Sequence, residues 1–161
     1  MKKIIFYILT LSLIPLKADL FYSITEDEFT DEKTIALAFL ADDSNEIIKR
    51  VGAVICFDGG ISIGFGDGIL FHLEDFMNVK IRFGKNPMYE ERFTYSSSEN
   101  LVLSSSKDII RKFLFELSES SSFIVRLDAS DSTMKFSNLI NTEKKVNQFL
   151  EAANRVPSCR L

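Results

Sequence analysis

The chain has 161 residues, 46% of them apolar and 26% charged, with 19 basic against 23 acidic residues and a single histidine. That balance excludes a disordered chain, and the length excludes two full-sized domains. The net charge of −4 argues against nucleic acid and anionic membrane as partners, because both select basic patches.

The first eighteen residues read as a secretory signal peptide. Lys2 and Lys3 precede an apolar run from Ile4 to Leu16, and Lys17-Ala18 then leads into Asp19. A positive start, about a dozen apolar residues and a small residue at the cut define such a leader, and the run falls short of the ~20 residues a membrane span needs. Cleavage is expected after Ala18, with an uncleaved anchor as the alternative. No cysteine follows the run, so no lipoprotein is expected. The mature chain would carry 16 basic and 23 acidic residues, net −7, in a periplasmic or secreted compartment where disulfides persist. No stable membrane anchor remains after such a cut.

Asp19–Thr25 alternates as a first short strand, and Glu26–Lys33 is an acidic connection. Thr34–Ala41 is a second strand, with Ile35, Leu37 and Phe39 on one face and Ala36 and Ala38 on the other. Asp42–Arg50 is a polar turn carrying Ile47 and Ile48. Val51–Gly66 reads as a hairpin around Asp58-Gly59-Gly60, because such dipeptides supply the positive φ that tight turns require. Gly64, Gly66 and Gly68 suggest a bulge or sharp turn at its exit. Asn78–Phe83 alternates cleanly, Val79, Ile81 and Phe83 inward and Lys80 and Arg82 outward, as a strand with one wet face does. Met88–Tyr95 and Leu101–Leu103 follow as strands.

The period then changes. Lys107–Leu117 places Ile109, Ile110, Phe113, Leu114 and Leu117 along one helical face, capped by Ser105 or Ser106. Phe123–Leu127 is a strand with Arg126 outward, Asp128–Thr133 a turn, and Met134–Phe136 a further strand. A last helix spans Thr142–Ala153, capped by Asn141 or Thr142, with Val146, Phe149, Leu150 and Ala153 on its apolar face. Seven to nine mostly antiparallel strands with two amphipathic helices make an α+β fold: an antiparallel β-sheet or small β-sandwich with the helices packed on it. The 15 phenylalanines and the absence of tryptophan point to a phenylalanine core.

No catalytic constellation emerges. His72 alone cannot build a histidine metal site, Cys56 and Cys159 lack zinc spacing, and G-x-S-x-G is absent. The glycines of Gly59–Gly68 do not form a phosphate loop. The acidic stretch Glu26, Asp27, Glu28, Asp31 and Glu32 lacks the calcium-loop spacing and reads as a solvated connection that protects an edge strand. No cofactor and no metal are expected. Cys56 and Cys159 allow one intramolecular pairing, which would pin the last helix to the sheet. The alternative is a buried small hydrophobe and a free thiol. Lys80, Arg82 and Arg126 are the candidate binding residues. On neighbouring strands they would form a basic stripe for an acidic partner, unless cross-strand pairing with Glu90 or Glu91 consumes them.

The succession TDEKTIAL, a strand ending in Cys56, ISIGFG, VKIRFG, TYSSS, a helix, FIVRL, MKFSNL and a last helix before a terminal cysteine resembles the VasI/TagO-type periplasmic proteins associated with type VI secretion. It spans about Phe21 to Cys159, and departs in having no tryptophan near Tyr22 or Phe93–Tyr95. The resemblance implies a periplasmic accessory protein that is not an enzyme, and it favours pairing Cys56 with Cys159. Two functions are therefore expected in turn: a non-catalytic accessory or binding protein with a protein partner, or an inhibitor of an extracellular or cell-wall hydrolase. A hydrolase using Asp67 or His72 is a third.

Overall fold

A computed structural model describes residues 20–27, 32–44, 50–67, 75–96, 101–128 and 131–161. The signal peptide with its cut after Ala18, together with Glu28, Asp31, Ile47, Ile48, Gly68 and His72, lies outside the described residues. The strands are β1 (Leu20–Glu26), β2 (Lys33–Leu40), β3 (Val51–Phe57), β4 (Gly60–Gly66), β5 (Phe76–Phe83), β6 (Tyr89–Ser96), β7 (Leu101–Ser104), β8 (Phe123–Leu127) and β9 (Ser132–Phe136). Helix α1 (Lys107–Glu119) lies between β7 and β8, and α2 (Thr142–Ala153) follows β9. All nine strands join one sheet in the order β1-β2-β3-β4-β7-β6-β5-β8-β9, and every pairing is antiparallel. The expected α+β architecture is what the chain adopts.

Side-chain alternation builds the inner face. Leu37, Val54, Ile63, Phe65, Val79, Ile81, Phe93, Val125 and Phe136 are all buried on it, against the apolar stripes of the two helices. Ile110, Phe113, Leu114 and Leu117 supply the α1 stripe, and Val146, Phe149 and Ala153 that of α2. Phe113 sits at the centre, with ring centroids of Phe39, Phe65, Phe83 and Phe123 at 5.7, 5.9, 5.2 and 5.3 Å. Phe39 on β2 also meets Phe123 and Phe136, at 5.3 and 5.9 Å. β2 and β9 lie near opposite ends of the strand order, so these contacts require the sheet to curl around the helices until its ends meet. Strand twist of a fixed hand supplies that curl.

The hairpin between β3 and β4 is as the sequence suggests, with Phe57 opposite Gly60. Positive φ falls at Gly60 (+129°) alone, rather than across Asp58-Gly59. The expected bulge is absent at Gly64 and Gly66, since both stay in register with β3. Gly52 faces the core, where a Cβ would lie 2.7 Å from the Phe39 ring and 2.8 Å from that of Phe65. A bare backbone there is what lets those rings lie across β3.

Ser106 caps α1, its side chain accepting from the Ile109 N–H. Asn141 precedes α2 in the left-handed region and makes no side-chain cap. Beyond α2, a 3-10 turn at Pro157–Cys159 delivers Cys159 to β3. There it forms a disulfide with Cys56, Cα–Cα 5.7 Å, linking residues 103 apart. Among the described residues, no helix is long and apolar enough to cross a membrane.

Candidate functional site

The outer face of β5, β6, β8 and β9 carries the charged residues that the alternation turns away from the core. In register, Lys80 stands opposite Glu90 on one side and Arg126 on the other, and Arg82 stands opposite Ile124. Lys135 on β9 is also opposite Ile124. The three cations expected to act together are thus on adjacent strands, in two neighbouring rows.

Two of them are engaged within the chain. Lys80 donates to Asp128 at 2.6 Å and lies 3.7 Å from Glu90. Arg126 donates to Asp131 at 2.6 Å and is 3.7 Å from Asp128. Lys80 and Arg126 are like charges directly opposite, which would be unfavourable alone. Asp128, placed at the end of β8 between them, is what makes the pair tolerable. Its hydrogen bond holds the Lys80 proton more tightly than usual; partial desolvation opposes this, and the charges of Asp128 and Glu90 add to it. Glu91 takes no part, because it faces the inner side opposite Val79. Arg92, also on the outer face, lies over the Phe76 ring at 4.3 Å.

Arg82 and Lys135 differ. Among the described residues, no carboxylate pairs with either. They sit two strands apart, about 10 Å, with half-buried Ile124 between them. Met88, 56% exposed, immediately precedes β6. Cations flanking apolar side chains can meet carboxylates and bury apolar surface together. Lys135 and Ile124 were not among the residues the sequence singled out. The alternation of Met134-Lys135-Phe136 carries the same signal as that of Lys80 and Arg82.

The remaining polar candidates scatter. Asp67 is buried at the end of β4, far in strand order from the cation row. Among the described residues, no group of three or more histidine, cysteine, aspartate or glutamate side chains is arranged to hold a metal ion.

Fold and face together define a disulfide-linked, curled antiparallel sheet filled by two helices, with a mixed charged and apolar outer surface. No family model, no curated protein and no solved structure matches the chain.

Proposed function

We propose that the protein is a periplasmic, non-catalytic accessory protein that binds a protein partner through the outer face of β5, β8 and β9, and that it serves type VI secretion as the sequence resemblance implies. The observation that carries the binding reading is the row Lys135–Ile124–Arg82. Among the described residues its cations have no carboxylate partner, whereas Lys80 and Arg126 on the next row do. An intramolecular charge network needs no partner; an unmatched row beside it is where an acidic partner would gain. Periplasmic residence is supported by the N-terminal pattern and by the buried Cys56–Cys159 disulfide, which belongs in an oxidising compartment.

The test is capture of a partner from a periplasmic extract, with the captured protein identified and then used as bait in the reverse direction. Arg82→Glu with Lys135→Glu is expected to abolish capture, and Arg126→Gln to leave it unchanged. Equal capture by all three forms overturns the assignment to this face.

A further inference from the structure

The row Arg82–Ile124–Lys135 runs across the ends of three strands. β5 ends at Phe83, β8 begins at Phe123 and β9 ends at Phe136, so each member stands one residue in from the rim. Gly84, Ser122 and Ser137 come just beyond, all small, and the Gly84 N–H donates to the Ser122 carbonyl at 3.3 Å. On the other side lies the engaged row, Lys80 and Arg126 with Glu90, Asp128 and Asp131. What is left for a partner is a strip one side chain wide, with half-buried Ile124 between exposed Arg82 and exposed Lys135.

We propose that this strip, resting on its reading as the binding surface, receives an amphipathic helix of the partner. That helix carries carboxylates seven residues apart, with apolar side chains three and four residues after the first. Backbone chemistry selects a helix. An extended segment lying on the face of a sheet, rather than along its edge, finds no ladder to join, and its N–H and C=O groups lose water over Ile124 with nothing in exchange. A helix brings its hydrogen bonds with it. The apolar face of a partner sheet spans several strands about 4.8 Å apart, and it would press on the charged row of Lys80 and Arg126. The apolar stripe of a helix is narrow enough to avoid it.

Spacing agrees. Arg82 and Lys135 are two strands apart, about 10 Å, and seven helical residues rise about 10.5 Å while returning to within about 20° of the same face. The third and fourth residues lie midway on that face, over Ile124. Carboxylates at the two ends meet the Arg82 guanidinium and the Lys135 ammonium. The two helices of this chain fill the inner side of the curled sheet, so the strip lies on the convex side and a docked helix touches it for about two turns. Weak affinity is expected of so small a contact.

Fluorescence anisotropy of the intact protein with labelled peptides of about 15 residues tests this. The first peptide is stapled into a helix, with glutamates seven apart and leucines at the third and fourth places between them. The second, also stapled, brings the glutamates to five apart, about 140° around the helix. The third is an unstapled isomer with a central proline that breaks the helix. The first is expected to bind at least about fivefold tighter than either of the others, the order that two exposed ion pairs supply. Arg82→Glu with Lys135→Glu is expected to abolish its binding, and a version with lysines for the glutamates is expected to bind that variant instead. Both side chains are exposed, so the variant is expected to keep the circular dichroism of the wild type. A first peptide no tighter than the second overturns the proposal. Equal binding of the first and third, lost in the double variant, overturns the helix and leaves the face in place. Binding of the first peptide that the double variant retains overturns both. No binding of the first peptide at about 1 mM overturns the helix, and capture from the extract then judges the face alone.

Discussion

The backbone N–H of Asp42 donates to the carbonyl of Lys135 at 2.7 Å, joining the exit of β2 to β9 across the open ends of the sheet. The Asp42 carboxylate extends the clasp, accepting from the Ser137 N–H at 3.0 Å and from the Ser137 hydroxyl. Beneath it lies the Phe39–Phe136 contact. Curvature and core filling thus meet at one point, and the curl is held by a hydrogen-bonded clasp over an aromatic cluster.

Asp42→Ala keeps the main-chain bond and removes both side-chain bonds. A loss of about 1–2 kcal/mol is expected, read as a lower urea midpoint with unchanged m-value. Asp42→Asn still presents an acceptor to the Ser137 N–H and is expected to fall between. A midpoint unchanged by alanine would mean that the aromatic contacts alone hold the curl.

Cys56 and Cys159 close a loop of 103 residues. On the loop-entropy model, replacing both by alanine is expected to cost about 4–5 kcal/mol. Both sulfurs are buried, so dithiothreitol is expected to leave the bond intact under native conditions and to reduce it once urea opens the fold. Alkylation followed by mass measurement, with and without urea, reads this directly. Reduction in the absence of urea would mean that the terminal turn opens locally.

Much of this fold was legible in the chain, because most elements carry their signal locally. The alternation at Asn78–Phe83 and Phe123–Leu127 and the helical stripes of Lys107–Leu117 and Thr142–Ala153 survive with small changes at their ends. What failed was short or non-local. β5 begins at Phe76, earlier than the pattern suggests, because exposed Phe76 beside buried Met77 blurs the alternation. β9 begins at Ser132, whose burial no hydropathy pattern announces. Asn141 reads as a cap, yet its left-handed backbone points the side chain elsewhere. The candidate site shows the same division. That Lys80, Arg82 and Arg126 face outward could be read from period two. That Asp128 neutralises two of them depends on the register of β5 against β8, which no local pattern encodes.

Gly52 is held to glycine by the core. Gly52→Ala would put a methyl group against the Phe39 and Phe65 rings, at 2.7 and 2.8 Å, and these rings also pack on Phe113. A loss of about 1–3 kcal/mol is expected, as for overpacking elsewhere. Adding Phe39→Leu is expected to cost less in the Gly52→Ala background than in the wild type, and the double-mutant cycle measures that coupling. Additive costs would show that the clash is relieved by backbone movement instead.

Tyr89 makes the fold sensitive to alkali. Burial pushes its hydroxyl well above the ordinary 10.0, with Glu116 and Glu91 adding to the effect. The Lys112 ammonium lies 3.8 Å from the ring centroid, and the hydroxyl oxygen is buried with no hydrogen-bond partner among the described residues. Above pH 10.0 the unfolded chain releases this proton while the folded chain keeps it. Folding stability is therefore intact below that pH and falls as pH rises beyond it, by up to about 1.4 kcal/mol per pH unit for one proton. Lys80, raised above 10.5 by its bond to Asp128, acts in the same direction. Tyr89→Phe keeps the ring and its cation contact while removing the titrating group. At neutral pH the variant is expected to match the wild type or exceed it by about 1 kcal/mol, since a buried unpaired hydroxyl is lost. Its urea midpoint is expected to decline less steeply above pH 10.0, the residual slope coming from Lys80 and the other groups that titrate there. Identical alkaline slopes for variant and wild type would show that the Tyr89 hydroxyl reaches solvent and titrates in the folded state.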